Sequence, residues 1–217
     1  MKEITLQLIF YLSLILVWQI LVGILDVPEY LFPSPLDVAD QFKSNFFILL
    51  ENTGVTIFET LIGFILGVVF ALLVALAIVH SRILEILIYP ALIFSQTTPR
   101  IAIAPLLVIW FGYDILPKII IVIIISFFTI VVNTVKGLKS ADPELLDLMN
   151  SYGASKKEIL IKVKLPIALP YIFAALKIAI TLSVIGAVVG EFVGADKGLG
   201  YLIMLGNVNL DTSLMFS

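Results

Sequence analysis

Four stretches of the chain are almost free of polar residues, and each is about as long as a bilayer is thick. A helix needs roughly 20 mostly apolar residues to cross the hydrocarbon core. Residues 4–25 carry no charge over 22 positions, and residues 60–79 give 20 more between Glu59 and His80. Residues 119–135 give 17 behind Pro117 and Lys118, and residues 171–190 give 20 interrupted only by Lys177. A further region, 83–112, is long enough but contains Pro90, Pro99, Pro105 and the polar knot Ser95-Gln96-Thr97-Thr98-Pro99-Arg100. Each proline removes a main-chain donor and clashes with the preceding turn, so this region, third in chain order, is predicted to be a broken helix. The pattern predicts an all-α polytopic membrane helix bundle with five transmembrane spans, read as one transmembrane domain over 1–217.

The flanks refine the picture. The first apolar run is longer than a signal-peptide core, and Leu25-Asp26-Val27-Pro28 is a poor cleavage site, so an uncleaved anchor is expected. After Pro28, Pro33 and Pro35, the positions Leu36, Val38, Ala39, Phe42, Phe46, Phe47 and Leu50 suit one amphipathic interfacial helix. Gly63, Gly67, Ala71 and Ala75 recur every four residues and permit close helix approach, within the bundle or at a dimer seam. The final residues, Asp211 to Ser217, place a polar cap before apolar residues. The expectation is that a sixth span would begin here and is missing.

Composition agrees. Hydrophobic residues make up 61% and charged residues 13%, with a mean hydropathy of +1.16. Soluble domains carry about 25% charged residues and must show a polar exterior. A soluble enzyme and a disordered chain are thereby excluded. A net charge of -3 offers no field for nucleic acid. There is no cysteine, and His80 is the single histidine, so thiolate sites, a His-based metal cluster and a Ser-His-Asp triad are excluded, and no metal site is expected. Lysine and arginine set the orientation. An inside N-terminus places Lys2, Arg82, Lys136, Lys139, Lys156, Lys157, Lys162 and Lys164 in the cytoplasm, against Lys43, Lys118 and Lys197 outside.

The segment 137–170 between the last two spans is too long for a connector. Asp142-Pro143 is a helix start, an aspartate cap followed by proline at the first helical position. Glu144 and Asp147 suit the positive end of that helix. Gly153 can end it in a left-handed conformation. Ser155-Lys-Lys-Glu158 is a capping box for a second helix, which Pro166 and Pro170 are expected to stop before the membrane resumes. Leu145, Leu146, Leu148, Met149, Ile159, Leu160 and Val163 exceed what a solvated loop needs. They serve either packing on the protein's own bundle or a socket on a cytosolic partner.

From Asp147 through Gly153 to Leu165-Pro166 and Pro170, the segment resembles the "EAA" loop of bacterial ABC importer permeases, with the glycine and both prolines at matching spacing. Asp147-Leu148-Met149 stands in place of Glu-Ala-Ala. Phe32-Pro33-Ser34-Pro35, Pro99 to Gly112, and Gly190-Glu191 to Gly200-Tyr201 also resemble this family, in the branch that imports nitrate, sulfonates, taurine, thiamine precursors or riboflavin. The resemblance implies a multi-pass subunit of a bacterial or archaeal cytoplasmic membrane and a coupling element formed by Asp147, Leu148, Met149, Gly153, Ala154, Ser155, Glu158, Leu165, Pro166 and Pro170. It implies a separate cytosolic ABC ATPase, an extracytoplasmic solute-binding protein and a second permease copy, commonly identical. No Gly-x-x-x-x-Gly-Lys-Ser/Thr loop occurs, so ATP and Mg would enter only through the ATPase partner and no cofactor is bound by this chain.

Gln96, Thr97, Thr98 and Arg100 interrupt the third span and, with Glu191, are candidates for the solute pathway. The plainer expectations are that Arg100 snorkels or pairs with an internal carboxylate, and that Glu191 is interfacial. Asn133, Thr181 and Ser183 are expected to bond between helices. The competing class is an ion-coupled secondary transporter, which would show internal repeats and paired broken helices. An intramembrane enzyme or a channel would need motifs that this sequence lacks.

Overall fold

The computed structural model describes residues 2–217, with side chains from Ile4 onward; the Lys2 side chain, counted in the charge bias, lies outside the described residues. The described residues form helices joined by turns, with no strand. Four helices are long and apolar enough to cross a membrane: Ile4–Ile24, Phe46–His80, Ile115–Lys139 and Lys156–Gly194. The pair Arg82–Ser95 and Arg100–Phe111 passes the same test of length and apolarity together, but it is bent by 92°, the shape of a broken span or of a re-entrant loop. The break expected within 83–112 is therefore observed. The helices are α1 (Lys2–Ile24), α2 (Pro35–Ser44), α3 (Phe46–His80), α4 (Arg82–Ser95), α5 (Ala104–Phe111) and α6 (Ile115–Lys139). They continue with α7 (Pro143–Ser151), α8 (Lys156–Ile159), α9 (Leu165–Gly194), α10 (Leu199–Asn209) and α11 (Thr212–Phe216).

The chain forms two compact units: the segment up to Val55 together with Asp196–Ser217, and Thr56–Ala195. In the first unit, Ser34 caps α2 in a reciprocal box with Asp37, and Pro35 occupies the first helical turn. Trp18 Nε1 donates to the Pro33 carbonyl at 3.1 Å, and Trp18, Phe32 and Phe216 form an aromatic cluster. The Phe-Pro-Ser-Pro motif is thus a helix start pinned to α1. Gln41 donates to Asp211 at 2.8 Å, and Asp211 accepts from Leu214 N as the cap of α11. The Asn52 side chain accepts from Gly198 N at 2.7 Å, while Lys197 pairs with Glu51 at 2.9 Å, which raises the Lys197 ammonium.

In the second unit, α6 and α9 pack along most of their length, and α3 lies against α6 through its small-residue stripe. A Cβ on Gly63 would meet Val122, and one on Gly67 would collide with the Ser126 hydroxyl. Ala71 and Ala75 are fully buried with Ile130 and Val131. The stripe is a bundle seam. A second stripe, Gly186, Gly190 and Gly194 on α9, admits Ile125, Lys118 and Tyr113.

Three expectations are corrected. The amphipathic run is two helices: α2 ends at Ser44, and Phe46–Leu50 begin α3, which runs unbroken into the second span. Polar residues within α3 are accommodated by back-bonding, as Asn52 and Thr53 donate to the Ile48 and Leu49 carbonyls. Pro166 and Pro170 do not stop the last long helix, which is continuous over Lys156–Gly194. A π-helical turn at Leu160–Lys164, where Leu165 N reaches the Leu160 carbonyl, widens the helix just before Pro166. Finally, Asn133, Thr181 and Ser183 donate to carbonyls of their own helices, at Thr129, Lys177 and Ala179.

Candidate functional site

The segment between α6 and α9 is a hairpin of two short helices whose ends are all satisfied locally. Asp142 Oδ1 accepts from Glu144 N at 2.9 Å, with Pro143 at the first helical position. At the other end of α7, Gly153 has φ +75, Gly153 N donates to Asn150 O and Ala154 N to Met149 O. This pair of bonds around a left-handed glycine is the Schellman motif. Immediately after it, Ser155 and Glu158 cap α8 reciprocally: Ser155 N donates to Glu158 Oε2 at 3.0 Å and Glu158 N to Ser155 Oγ at 3.3 Å. Lys162 pairs with Glu158 one turn on, at 3.1 Å. The base of the hairpin is anchored by Glu85 of α4, which binds both Arg82 and Lys139, and Lys139 also lies 5.0 Å over the Tyr89 ring.

The apolar side chains of the hairpin divide between two faces. Ile159 and Val163 are buried and Leu146, Met149 and Leu160 half-buried, so they pack on the protein's own bundle. Leu145, Leu148 and Tyr152 point away, with Tyr152 83% exposed. The expectation of packing on the bundle holds for the first set, and the second set is left exposed. A cleft of about 280 Å³ separates the hairpin from the end of α3, lined by Val79, His80, Leu146, Asn150, Lys156 and Lys164 among others. His80 faces the Leu76 carbonyl through Nδ1 at 2.9 Å.

The predicted pathway residues separate. Gln96, Thr97 and Thr98 form the turn at the 92° bend, all exposed, with Thr97 Oγ1 donating to Phe94 O. Arg100 opens the 3₁₀ turn Arg100–Ile103 beyond it and lies 5.1 Å over the Phe128 ring of α6. No carboxylate pairs with it among the described residues. Glu191 belongs elsewhere. It is 1% exposed near the end of α9, and Thr56 Oγ1 donates to its Oε1 at 2.7 Å. Glu59 and Lys118 form a buried ion pair at 3.1 Å. The sequence reading placed Glu59 and Lys118 at the borders of their spans. The signal that locates them inside is the continuation of helical periodicity from Phe46 through residue 60, which puts Glu59 well within α3.

The amino-acid sequence is similar to those of known proteins. The chain belongs to the family described as binding-protein-dependent transport system inner membrane component, which matches residues 63–217. It is 39% identical over 204 residues to a Haemophilus influenzae protein named "Probable ABC transporter permease protein", covering 94% of this chain and 83% of that one. It is 39% identical over 197 residues to the formylaminopyrimidine transport permease protein ThiX of Halalkalibacterium halodurans, covering 89% and 77%. It is 36% identical over 205 residues to the riboflavin transport system permease protein RibX of Chloroflexus aurantiacus, covering 94% and 76%. The chain is thus an ABC transporter permease, a multi-pass inner-membrane transport component rather than an enzyme, of a family whose members work with an ATPase and a solute-binding protein.

Proposed function

We propose that this chain is driven through the hairpin at 137–170, and that it imports a small flat nitrogen heterocycle of the vitamin-precursor type. The observation that carries the first part is a stiff, fully capped pair of helices that presents Leu145, Leu148 and Tyr152 outward. Asp147, Leu148 and Met149 form the docking helix. Gly153, Ala154 and Ser155 make its turn, and Glu158 fixes the start of the next helix. The helix then runs without a break through Leu165, Pro166 and Pro170 into the span, so a push on α7 reaches the membrane-spanning part of α9 as a rigid-body movement. Work enters only if the ATPase contacts differ between its nucleotide states. ATP and Mg are held by that partner, and this chain binds neither.

The N-terminus lies in the cytoplasm, the orientation that the excess of lysine and arginine favours. A second copy of the chain completes the pathway, and the solute-binding protein docks on the opposite side. The solute class rests on the likeness to ThiX and RibX. The test of coupling is copurification of the ABC ATPase with the tagged permease. Leu148→Asp is expected to abolish the association and solute uptake while the permease keeps its elution volume. Retention of the ATPase by that variant would contradict the proposal.

A further inference from the structure

We infer that Arg100 is a solute-binding residue at the centre of the membrane, donating hydrogen bonds to an oxygen acceptor on the transported molecule; this rests on the importer reading above. The depth comes from two helices independently. Phe128, under the guanidinium at 5.1 Å, stands near the middle of α6. At 1.5 Å per residue it is about 16–20 Å from either end of that helix, against a hydrocarbon half-thickness of about 15 Å. Glu85, whose ion pairs with Arg82 and Lys139 mark the level of the helix ends, is eleven residues before Gln96, or about 16 Å along α4. Both measures place the bend at mid-membrane, too deep for Arg100 to reach the interface.

At that depth a cation requires a partner, and ionisable groups within spans mark pathways. Among the described residues Arg100 meets the Phe128 ring but lacks a polar partner: its Nε is buried without a hydrogen bond, and no carboxylate pairs with it. The side chain is half-buried, with Phe128 covering one face of the guanidinium. The main chain at Gln96–Pro99 leaves the helix at the same level, which is tolerated at membrane depth only where a cavity or protein satisfies it. A guanidinium with one aromatic face and unused N–H groups matches a flat solute bearing a carbonyl or oxyanion.

The test is uptake into proteoliposomes carrying the complete complex with its ATPase and binding protein, with formylaminopyrimidine and riboflavin as probes. Vesicles are made of phosphatidylcholine with and without phosphatidylglycerol. For the probe that the wild-type complex moves, Arg100→Met is expected to raise the uptake KM about tenfold or more with a smaller change in maximal rate. Arg100→Lys recovers part of the loss, and Phe128→Leu gives a smaller rise in KM. An unchanged KM overturns the inference, as does a fall in maximal rate alone, which would mark a packing role. A difference confined to vesicles with phosphatidylglycerol assigns the acceptor to lipid phosphate and also overturns it. If the wild-type complex moves neither probe, the solute reading fails and this inference falls with it.

Discussion

The hairpin of α7 and α8 and the buried Glu59–Lys118 pair are built from the same interactions at opposite ranges. The turns and helix ends of the hairpin are fixed by contacts that span a few residues: Asp142 to Glu144, Met149 to Ala154, Ser155 to Glu158. In the core, one ion pair joins α3 to α6 and one hydrogen bond joins Thr56 to Glu191 across 135 positions. The first arrangement makes a stiff unit that rests on the bundle through one face and leaves the other exposed. The second fixes helices against one another where water is excluded. The proposed coupling requires both a hairpin that transmits movement and a core that resists it.

The comparison is broken most sharply in the core. Lys118→Met leaves Glu59 buried without its counter-ion and is expected to destabilise the permease by about 3–5 kcal/mol. The midpoint of unfolding in detergent measures this, and Glu59→Met together with Lys118→Met is expected to recover most of the loss. The next effect is steric. Gly67→Ala places a methyl group against the Ser126 hydroxyl and is expected to cost about 1–3 kcal/mol, read in the same assay.

The hairpin responds more weakly in stability and more strongly in function. A β-branched residue in the left-handed region costs roughly 1–2 kcal/mol, so Gly153→Val strains the turn between α7 and α8. Uptake is expected to fall severalfold while the unfolding midpoint moves little, because Gly153 sits at an exposed turn with open space around it. Gly153→Asn, which tolerates that conformation, is expected to retain most uptake. The smallest effect is Ser155→Ala, which removes one cap worth about 1 kcal/mol and is expected to lower coupling modestly.

This contrast of range also explains what was legible in the amino-acid sequence. Asp142-Pro143, Gly153 and the Ser155–Glu158 spacing state their roles within a few residues, and the structure follows them. The polar knot at 95–100 announced the bend for the same reason. Pro166 and Pro170 misled because the π-helical turn before them restores continuity, and a widened turn has no simple sequence signature. Glu59 and Lys118 were taken as borders because each adjoins a long apolar run, and nothing within a helical turn of either names the other. The helix α10 has a weak apolar periodicity and starts at Gly198, which adopts φ 111 without a side-chain cap. Arg100 was visible as an anomaly, but the level at which it sits required the positions of Glu85 and Phe128 together.

The central claim is that force enters at the outward face of α7. The chain has no cysteine, so Leu148→Cys supplies a single thiol without further substitution. Paired with cysteines on the surface of the ABC ATPase, it is expected to form a disulfide crosslink in the assembled transporter, with a yield that changes between ATP-bound and nucleotide-free states. A thiol at this position labelled by impermeant maleimide from outside intact cells, or one that never crosslinks to the ATPase while uptake proceeds, would contradict the account.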